Sequence, residues 1–344
     1  MADSKTIAID AMGGDHGPES TIPGIALCLK EHPKLKFLIY GDQNRIAPLL
    51  DKNPELKAVS AVHHTDKAIR SDEKPSAALR ASKGSSMRMA IEAVKDGEAD
   101  AIVSAGNTGA LMALAKMVLK PSAGIHRPAI ASIFPTQRGK TIVLDLGANV
   151  LVDAENLVQF AVLGGVFAKV HFEVSVPTIG LLNVGSEEMK GPDHVRGAAS
   201  ILSEIDIPGH YYGFVEGDDI TKGTVDVIVS DGYAGNIALK TAEGVGSLTG
   251  KMFKKYMTSD PLAILGGILA FFALKRFKRY VDPRLYNGGV FLGLNGLCVK
   301  SHGGCDPLAF SSAVNLAANL AEHAYIETVA RDINHLMEQE SVLS

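Results

Sequence analysis

The stretch Ile7-Ala8-Ile9-Asp10-Ala11-Met12-Gly13-Gly14-Asp15-His16-Gly17-Pro18-Glu19 decides the fold. Its apolar run stops at Asp10, and glycines then lead to Pro18, which suits the first turn of a helix because no N–H is needed there. The pattern predicts a tight turn from a strand into a helix, with backbone N–H groups exposed at the helix N-terminus. Such a turn suits an anion, although most glycine-rich turns of this kind are only turns.

Apolar runs alternate with longer helical stretches along the rest of the chain. This alternation predicts an α/β protein with a mainly parallel sheet and helices on both faces. The predicted strands are 6–9, 36–40, 58–62, 101–104, 130–134, 141–144, 178–182, 211–215 and 225–229, and the predicted helices include 85–95, 109–119, 155–169 and 194–204.

Composition excludes several classes of protein. The chain has 344 residues and a net charge of −4, so its overall charge gives no argument for a nucleic-acid partner. Cys28, Cys298 and Cys305 form no CxxC pair, which favours a reducing compartment and argues against a structural zinc site. The first five residues lead straight into a strand without the features of a signal peptide, so we predict a cytoplasmic protein.

Glycine stands beside Ser, Thr or Asn after five of the apolar runs. In a parallel sheet, ligands gather where the strands end, so the five loops predict one shared polar cleft. The loops are 104–110, 145–149, 183–191, 230–236 and 301–306. With the first turn they supply these candidate site residues: Asp10, Asn107, Thr108, Asn183, Ser186, Asp231, Asn236 and Ser301.

Positive charge is scarce in or near these loops. Arg127 precedes a predicted strand, where it either clamps an oxyanion or is solvated, and the same two interpretations apply to Lys190. His302 follows a strand and precedes two glycines, so its ring either faces the cleft or is structural.

Residues 250–281 break the alternation and form an insert. Thirteen residues without charge, 262–274, are followed by Lys275, Arg276, Lys278 and Arg279, and residues 251–279 carry seven bases and one acid. Thirteen residues are too few to span a bilayer, which needs about 20. The insert is either a helical hairpin buried in a dimer interface or an apolar tip that enters one leaflet beside anionic headgroups, and its bases also suit an acidic protein. We favour dimer contact together with peripheral membrane association, through Leu265, Leu269, Phe272 and the four bases.

Seven sequence blocks occur in one order along the chain: IAIDAMGGDHGPE, SAGNTGALMA, HRPAIA, LDLGAN, LLNVGSEEMKG, VSDGYAGNIALKTAEG and KSHG. Together they resemble the bacterial phosphate acyltransferase family of phospholipid synthesis, from about residue 7 to about residue 321. The resemblance implies a fold similar to isopropylmalate dehydrogenase and phosphotransacetylase. It further implies one unit of two lobes, about 1–125 with 295–344, and 126–294.

The resemblance also implies an activity and partners. The family transfers a fatty acyl group from acyl-acyl-carrier-protein to inorganic phosphate, forms homodimers, and uses no metal or cofactor in a direct attack. A downstream membrane glycerol-3-phosphate acyltransferase is a further expected partner. By a more distant similarity to phosphotransacetylase, Asn236, Ser301 and His302 would line the phosphate and thioester site.

The chemistry then suggests a role for each candidate. Phosphate is already anionic near neutral pH, so the site has to hold it against the thioester, stabilise the oxyanion and assist the departing sulfur. The expected catalytic residues are His302, Asn236 and Asp10. The residues expected to bind phosphate or the thioester include Asn107, Thr108, Asn183, Ser186, Asp231 and Ser301. Arg127 or Lys190 offsets the charge, His302 is the expected acid, and Asp10 and Asp15 are expected to orient neighbouring groups.

Several alternatives stay open on the sequence alone. Cys305 suggests a route through an acyl-enzyme, and Asp10-Ala11-Met12-Gly13-Gly14 with Asp145-Leu146-Gly147 loosely resembles the phosphate loops of actin-like kinases. Those kinases place the first loop in a β-hairpin, whereas here it is predicted to open a helix. A dehydrogenase is disfavoured because no GxGxxG follows a strand. The non-enzymatic alternative is a membrane-docking scaffold for enzymes that use acyl-carrier protein.

Overall fold

A computed structural model describes residues 4–343, with side chains up to residue 334. Residues 1–3, which belong to the segment predicted to lack signal-peptide features, lie outside the described residues. Eleven described strands form one sheet in the order β3-β2-β1-β4-β11-β10-β5-β6-β9-β7-β8. They are β1 (Thr6–Asp10), β2 (Lys36–Gly41), β3 (Ser60–His64), β4 (Ala101–Ser104), β5 (Ala129–Thr136), β6 (Gly139–Leu144), β7 (Thr178–Leu182), β8 (His210–Val215), β9 (Val227–Val229), β10 (Gly289–Leu292) and β11 (Leu297–Lys300).

The helices connect these strands, and a short 3-10 helix (Pro283–Tyr286) precedes β10. They are α1 (Pro18–Glu31), α2 (Gln43–Asp51), α3 (Pro54–Ala58), α4 (Pro75–Ala81), α5 (Ser86–Lys95), α6 (Thr108–Val118), α7 (Ala154–Phe172), α8 (Asp193–Leu202), α9 (Asp219–Lys222), α10 (Gly232–Met257), α11 (Pro261–Leu269), α12 (Phe271–Tyr280), α13 (Pro307–Glu322) and α14 (Tyr325–Leu343). Pro18 opens α1, as predicted. All nine predicted strands are present, and β10 and β11 are the two strands outside the predicted ranges, although His302 was expected to follow a strand.

The sheet contains two groups of strands that run in opposite directions. β1, β2, β3, β4 and β11 are parallel, while two antiparallel hairpins, β5–β6 and β10–β11, reverse the chain. As a result β6, β7, β8 and β9 are parallel to each other but antiparallel to the β1 group. The carboxyl ends of the two groups therefore point to opposite edges of the sheet.

Helices cover both faces, which confirms the predicted fold class. Ile7 and Ile9 of β1 pack on one face in a cluster with Phe310 of α13, whereas Ala8 between them packs on the other face with Ile91 of α5. Because successive strand side chains alternate between faces, both faces of β1 are buried in apolar layers. Burying such an isoleucine contributes about 1.5–3 kcal/mol, so these layers hold β1 and its loop in place.

The predicted lobes correspond to the two halves of the sheet order. The half β3-β2-β1-β4-β11 contains the strands of 1–125 with 295–344, and the other half contains those of 126–294. The division into lobes remains a prediction, since one continuous sheet joins them.

The insert is helical and lies on the surface. α10 begins at Gly232, ahead of the predicted start of the insert, and neither α11 nor α12 has a buried residue. Among the described residues, no helix combines the length and the apolar character required to cross a membrane.

Candidate active site

The predicted site residues fall into two clusters. The first cluster comprises the loops after β1, β4 and β11, namely residues 10–17, 104–109 and 300–306. The second cluster comprises the loops after β6, β7 and β9, namely residues 145–151, 183–191 and 230–236, with Arg127 beside them. Among the described residues, no hydrogen bond joins a loop of the first cluster to a loop of the second. The hairpins direct the later strands, and the loops that follow them, to the opposite edge of the sheet, and the prediction that all five loops share one cleft remains a prediction.

Asp10 anchors the first cluster from behind. Its side chain is 1% exposed, and its two carboxylate oxygens accept hydrogen bonds from the hydroxyls of Ser86 at 2.6 Å and Ser104 at 2.7 Å. Burial raises the pKa of this carboxyl, against the opposing effect of the two hydroxyls. The Ser104 hydroxyl also accepts the Gly106 N–H at 3.0 Å, so Asp10 positions the loop before α6.

Glycine is required where the first turn meets its neighbours. A Cβ on Gly13 would lie 2.6 Å from the Gly106 nitrogen, and one on Gly14 would lie 2.7 Å from the Gly303 oxygen. Gly14 also has a φ of 85°, which side chains rarely adopt. The Asp15 N–H donates to the Gly303 carbonyl at 2.9 Å. These contacts bring three strand-end loops together, as the sequence predicts for this part of the site.

Asn287 fixes the loop that holds Ser301 and His302. Its Nδ2 donates to the Ser301 hydroxyl at 2.7 Å and to the Ala309 carbonyl at 2.7 Å, and its Oδ1 accepts the His302 N–H at 3.1 Å. Ser301 is fully buried, whereas His302 is exposed. The His302 Nδ1 accepts the Gly304 N–H at 3.2 Å, which leaves Nε2 to carry the proton of the neutral ring. No pattern in the sequence pointed to Asn287, which lies outside the predicted loops.

The loops of the first cluster line an open surface cavity of about 280 Å³. Its walls come from the first turn, the loop before α6, Ser71 and the end of β11: Gly14, Asp15, Ser71, Ala105, Gly106, Asn107, Thr108, Gly109, Lys300 and Gly303. Lys300 brings an ammonium group into this wall. Its Nζ donates to the carbonyls of Ser301 and, at 3.4 Å, Ala105, and burial lowers its pKa to about 8. The prediction passed over Lys300, although it stands inside the quoted KSHG block.

The N-terminus of α6 opens onto the same cavity. Asn107 caps it, with Oδ1 accepting the Ala110 N–H at 3.0 Å, while its Nδ2 donates to the carbonyls of Ser71 and Glu73. The side-chain amide of Asn107 therefore positions α6 and the segment 71–73. Within the described residues, the N–H groups of Thr108 and Gly109 have no hydrogen-bond partner. Two unpaired N–H groups at a helix N-terminus are suited to an anion.

Asp145 organises the second cluster. It is fully buried and accepts the N–H groups of Ile130, Gly147, Ala148 and Asn149, together with the Asn149 side chain. Burial raises its pKa, partly offset by these donors. Its two oxygens hold the turn after β6, which is a structural role.

The other predicted residues of this cluster bind mainly to backbone groups. Asn236 Nδ2 donates to the Leu146 carbonyl at 3.0 Å, and Asn183 Nδ2 donates to the Lys190 carbonyl at 3.0 Å. Asp231 caps α10 and lies 3.7 Å from the Nε2 of His194.

Three predicted residues of the second cluster are exposed. Lys190 pairs with Glu187 at 2.7 Å, and Arg127 donates to the Leu151 carbonyl at 3.0 Å. Ser186 is exposed. The predicted roles of the second-cluster residues in phosphate or thioester binding remain predictions.

Solved structures define the class of the fold. EutD phosphotransacetylase from Staphylococcus aureus superposes with a TM-score of 0.62 at 16% identity, covering 93% of this chain and 96% of that protein. A phosphotransacetylase from Streptococcus pyogenes gives 0.62 at 19% identity, covering 92% and 94%. The chain therefore has a phosphotransacetylase-like α/β fold, as predicted.

Sequence comparison then gives the family. The family described as "Fatty acid synthesis protein" matches residues 5–328. Proteins named phosphate acyltransferase are 52% identical in Rhodospirillum centenum, over 98% of this chain and 95% of that protein, and 51% identical in Parvibaculum lavamentivorans, over 98% and 93%. The chain belongs to the phosphate acyltransferase family, which confirms the predicted resemblance and places it among acyltransferase enzymes.

These findings exclude one of the enzyme alternatives. β1 pairs in parallel with both neighbours and its loop opens α1, so the actin-like kinase alternative, which needs a hairpin there, is wrong. Cys305 is 5% exposed, and an acyl-enzyme route through it remains an untested alternative. Among the residues with described side chains, no group of three or more His, Cys, Asp or Glu is placed to hold a metal ion.

Proposed function

We propose that this protein transfers a fatty acyl group from acyl-acyl-carrier-protein to inorganic phosphate, and that the reaction takes place in the cavity of the first cluster. The observation that carries the proposal is the cavity wall itself. It combines the unpaired N–H groups of Thr108 and Gly109 with the ammonium of Lys300, at the carboxyl edge of three parallel strands. These are the groups that hold an oxyanion without a metal.

The reaction does not need a strong general base, because phosphate is already anionic near neutral pH. A phosphate oxygen attacks the thioester carbonyl, the oxyanion forms against backbone donors, and the thiolate leaves. The α6 N-terminus supplies donors that need no rearrangement, since Asn107 and the Asp10–Ser104 pair fix the loop before it. The carboxylate of Asp10 is directed to hydroxyls and does not line the cavity, so the carboxylate in the wall is that of Asp15 and not that of Asp10.

We further propose that the insert joins two copies of the chain and docks on an anionic membrane. Leu262, Leu269 and Phe272 are 80%, 81% and 78% exposed in the single chain, and Lys275, Arg276, Lys278 and Arg279 follow on the same exposed α12. A contiguous apolar surface of this kind marks an interface with protein or lipid. Apolar side chains next to a run of bases suit the boundary between acyl chains and anionic headgroups.

The test of the reaction is direct. The protein is incubated with a long-chain acyl-acyl-carrier-protein in the presence of inorganic phosphate, of sulfate, or of neither, and free thiol and acyl phosphate are followed by colour and by mass. We expect thiol release and acyl phosphate with phosphate alone. Thiol release that is equal in all three arms would indicate a hydrolase, and carrier-protein binding without thiol release would indicate the scaffold.

A further inference from the structure

Lys300 is a cation in the active-site wall, and the chemistry described so far uses its positive charge but not its proton. It ends β11, directly beside Ser104 of β4 in the sheet, and lines the cavity together with Asn107 and Thr108. No carboxylate lies within ion-pair distance of its Nζ among the described residues, so two carbonyls are its hydrogen-bond partners. A partly buried ammonium held only by neutral groups is costly, which makes a ligand-directed role the natural explanation.

The surroundings favour a proton that Lys300 can release. Burial lowers the pKa of Lys300 to about 8, although the nearby carboxyl groups of Asp10 and Asp15 act in the opposite direction. Asp10 does not form an ion pair with it, since both of its oxygens are taken by the hydroxyls of Ser86 and Ser104. The leaving thiol has an ordinary pKa of about 8.5, so proton transfer between the two groups is nearly balanced in energy.

We propose that Lys300 is the acid that protonates the departing thiolate, an inference that rests on the proposed acyl transfer. As a phosphate oxygen forms its bond to the carbonyl carbon, the C–S bond breaks and sulfur takes its electron pair. Sulfur then takes a proton from Nζ and leaves as the thiol. The neutral amine recovers a proton from the P–OH of the new acyl phosphate, so HPO₄²⁻ and the thioester become the acyl phosphate dianion and the thiol.

This assignment replaces His302 in the role of acid. His302 is exposed and is absent from the cavity wall, and its Nδ1 is occupied by the Gly304 N–H. Lys300 instead shares the wall with the N–H groups of Thr108 and Gly109, where the anion is expected. Its ammonium donates to the carbonyl of Ala105, which belongs to the same wall.

The test compares Lys300→Arg with the wild type on two thioesters of the same acyl chain. One is the acyl-acyl-carrier-protein, whose alkyl thiolate needs a proton, and the other is the ester of an aromatic thiol, whose thiolate is stable without one. Arginine keeps the positive charge but does not release a proton near neutral pH. With the alkyl thioester we expect kcat to fall by about 10² to 10⁴ and the KM for phosphate to stay within about twofold. With the aromatic thioester we expect most of that loss to disappear.

Two results would overturn the assignment. A Lys300→Arg enzyme with normal kcat would show that Lys300 supplies charge alone, and an equal loss on both thioesters would show that it does not act on the leaving group. Lys116→Arg, on the exposed side of α6, is the matched control and should leave kcat unchanged. If the wild type itself shows no phosphate-dependent turnover, the proposed function fails rather than this assignment.

A second measurement on the wild type holds even if the variant does not fold. As pH rises through about 8, Lys300 loses its proton, and kcat on the alkyl thioester should fall. On the aromatic thioester the same pH range should leave kcat level. A fall of equal size with both thioesters would contradict the proposal.

Discussion

The hydroxyl of Ser104 donates to the carboxylate of Asp10 at 2.7 Å, across the neighbouring strands β1 and β4. The same oxygen accepts the N–H of Gly106 at 3.0 Å, which is the point where the chain turns toward α6. One hydroxyl thus connects a buried acid to the loop that presents the phosphate-binding amides. The position of the N–H groups in the proposed anion site depends on this connection.

Replacing Ser104 with Ala should weaken both the fold and the site. It removes one partner from a buried carboxylate and one from an N–H, so we expect a loss of about 1–3 kcal/mol in the free energy of unfolding, measured with urea. The KM for phosphate should rise as the loop loosens. Ser203→Ala, which removes an exposed hydroxyl bonded to its own helix, is the control and should change neither quantity. A Ser104→Ala protein with an unchanged free energy of unfolding and an unchanged KM for phosphate would show that the Asp10–Ser104 hydrogen bond contributes to neither.

Asp10 should make stability depend on pH in a definite direction. Because burial raises its pKa in the folded state, its favourable contribution is complete below its usual value of 3.8 and is lost as pH rises through the folded value. Asp10→Asn does not ionise, so its free energy of unfolding should fall less than that of the wild type as pH rises from about 4 to 7. Asp145 is shifted in the same direction but is present in both proteins, so the difference between the two curves reports Asp10. Parallel curves would refute the prediction.

The unpaired N–H of Thr108 can be removed without breaking its helix. Thr108 is the first residue of α6, where proline is tolerated because the N–H has no partner within the helix. We expect Thr108→Pro to raise the KM for phosphate about tenfold or more, since hydrogen bonds to charged groups are worth about 1.5–3 kcal/mol. Thr108→Ala keeps the N–H and removes the hydroxyl, so its KM shows what the side chain contributes. Equal effects of the two substitutions would assign binding to the hydroxyl instead.

The second cluster gives an independent check on the place of the reaction. If phosphate binds in the first cluster, Lys190→Gln should leave the KM for phosphate within about twofold, because its ammonium is exposed and paired with Glu187. Asn236→Ala should likewise leave that KM unchanged while lowering stability by about 1 kcal/mol through the lost bond to Leu146. A tenfold rise of KM in either variant would place phosphate at the second cluster.

Local patterns in the sequence were enough for most of the fold and for half of the site. Apolar runs and glycine turns located nine strands, and the Gly13-Gly14 turn does meet the loops after β4 and β11. Strand direction was the missing information. Only two residues, Gln137 and Arg138, separate β5 from β6, and this short hairpin sends the following strands to the opposite edge. Gly139 lies at this turn, but the predicted strands 130–134 and 141–144 left a gap of six residues between them. The gap hid how short the hairpin is.

Side-chain roles were harder to predict than loop positions. Asn107, Asn183 and Asn236 have the residue type that binds anions, yet their amides hold backbone carbonyls in the structure. Lys300 was missed for the opposite reason. A lysine at the end of a strand is usually solvated, so its place in the cavity wall becomes visible only when its neighbours are known. Partners distant in sequence, such as Asn287 for Ser301, decide these roles.

The insert should lose membrane binding when its bases are neutralised. Each base near an anionic surface contributes about 1 kcal/mol, so changing Lys275, Arg276, Lys278 and Arg279 together to Gln should weaken binding to anionic vesicles by at least about tenfold, measured by flotation. Neutral vesicles should show little difference between the variant and the wild type. The control changes four exposed bases elsewhere to Gln: Lys34, Lys36, Lys52 and Lys95.

The apolar side chains should separate dimer contact from lipid contact. Changing Leu265, Leu269 and Phe272 to Ser removes apolar surface that is more than half exposed in the single chain. If this surface serves both purposes, the triple variant should lose vesicle binding and also sediment as a monomer, whereas the fourfold Gln variant should remain a dimer. A triple variant that stays dimeric and keeps full vesicle binding would contradict both roles of the insert. Loss of carrier-protein binding in the fourfold Gln variant, with vesicle binding intact, would assign the bases to the acidic protein instead of the lipid.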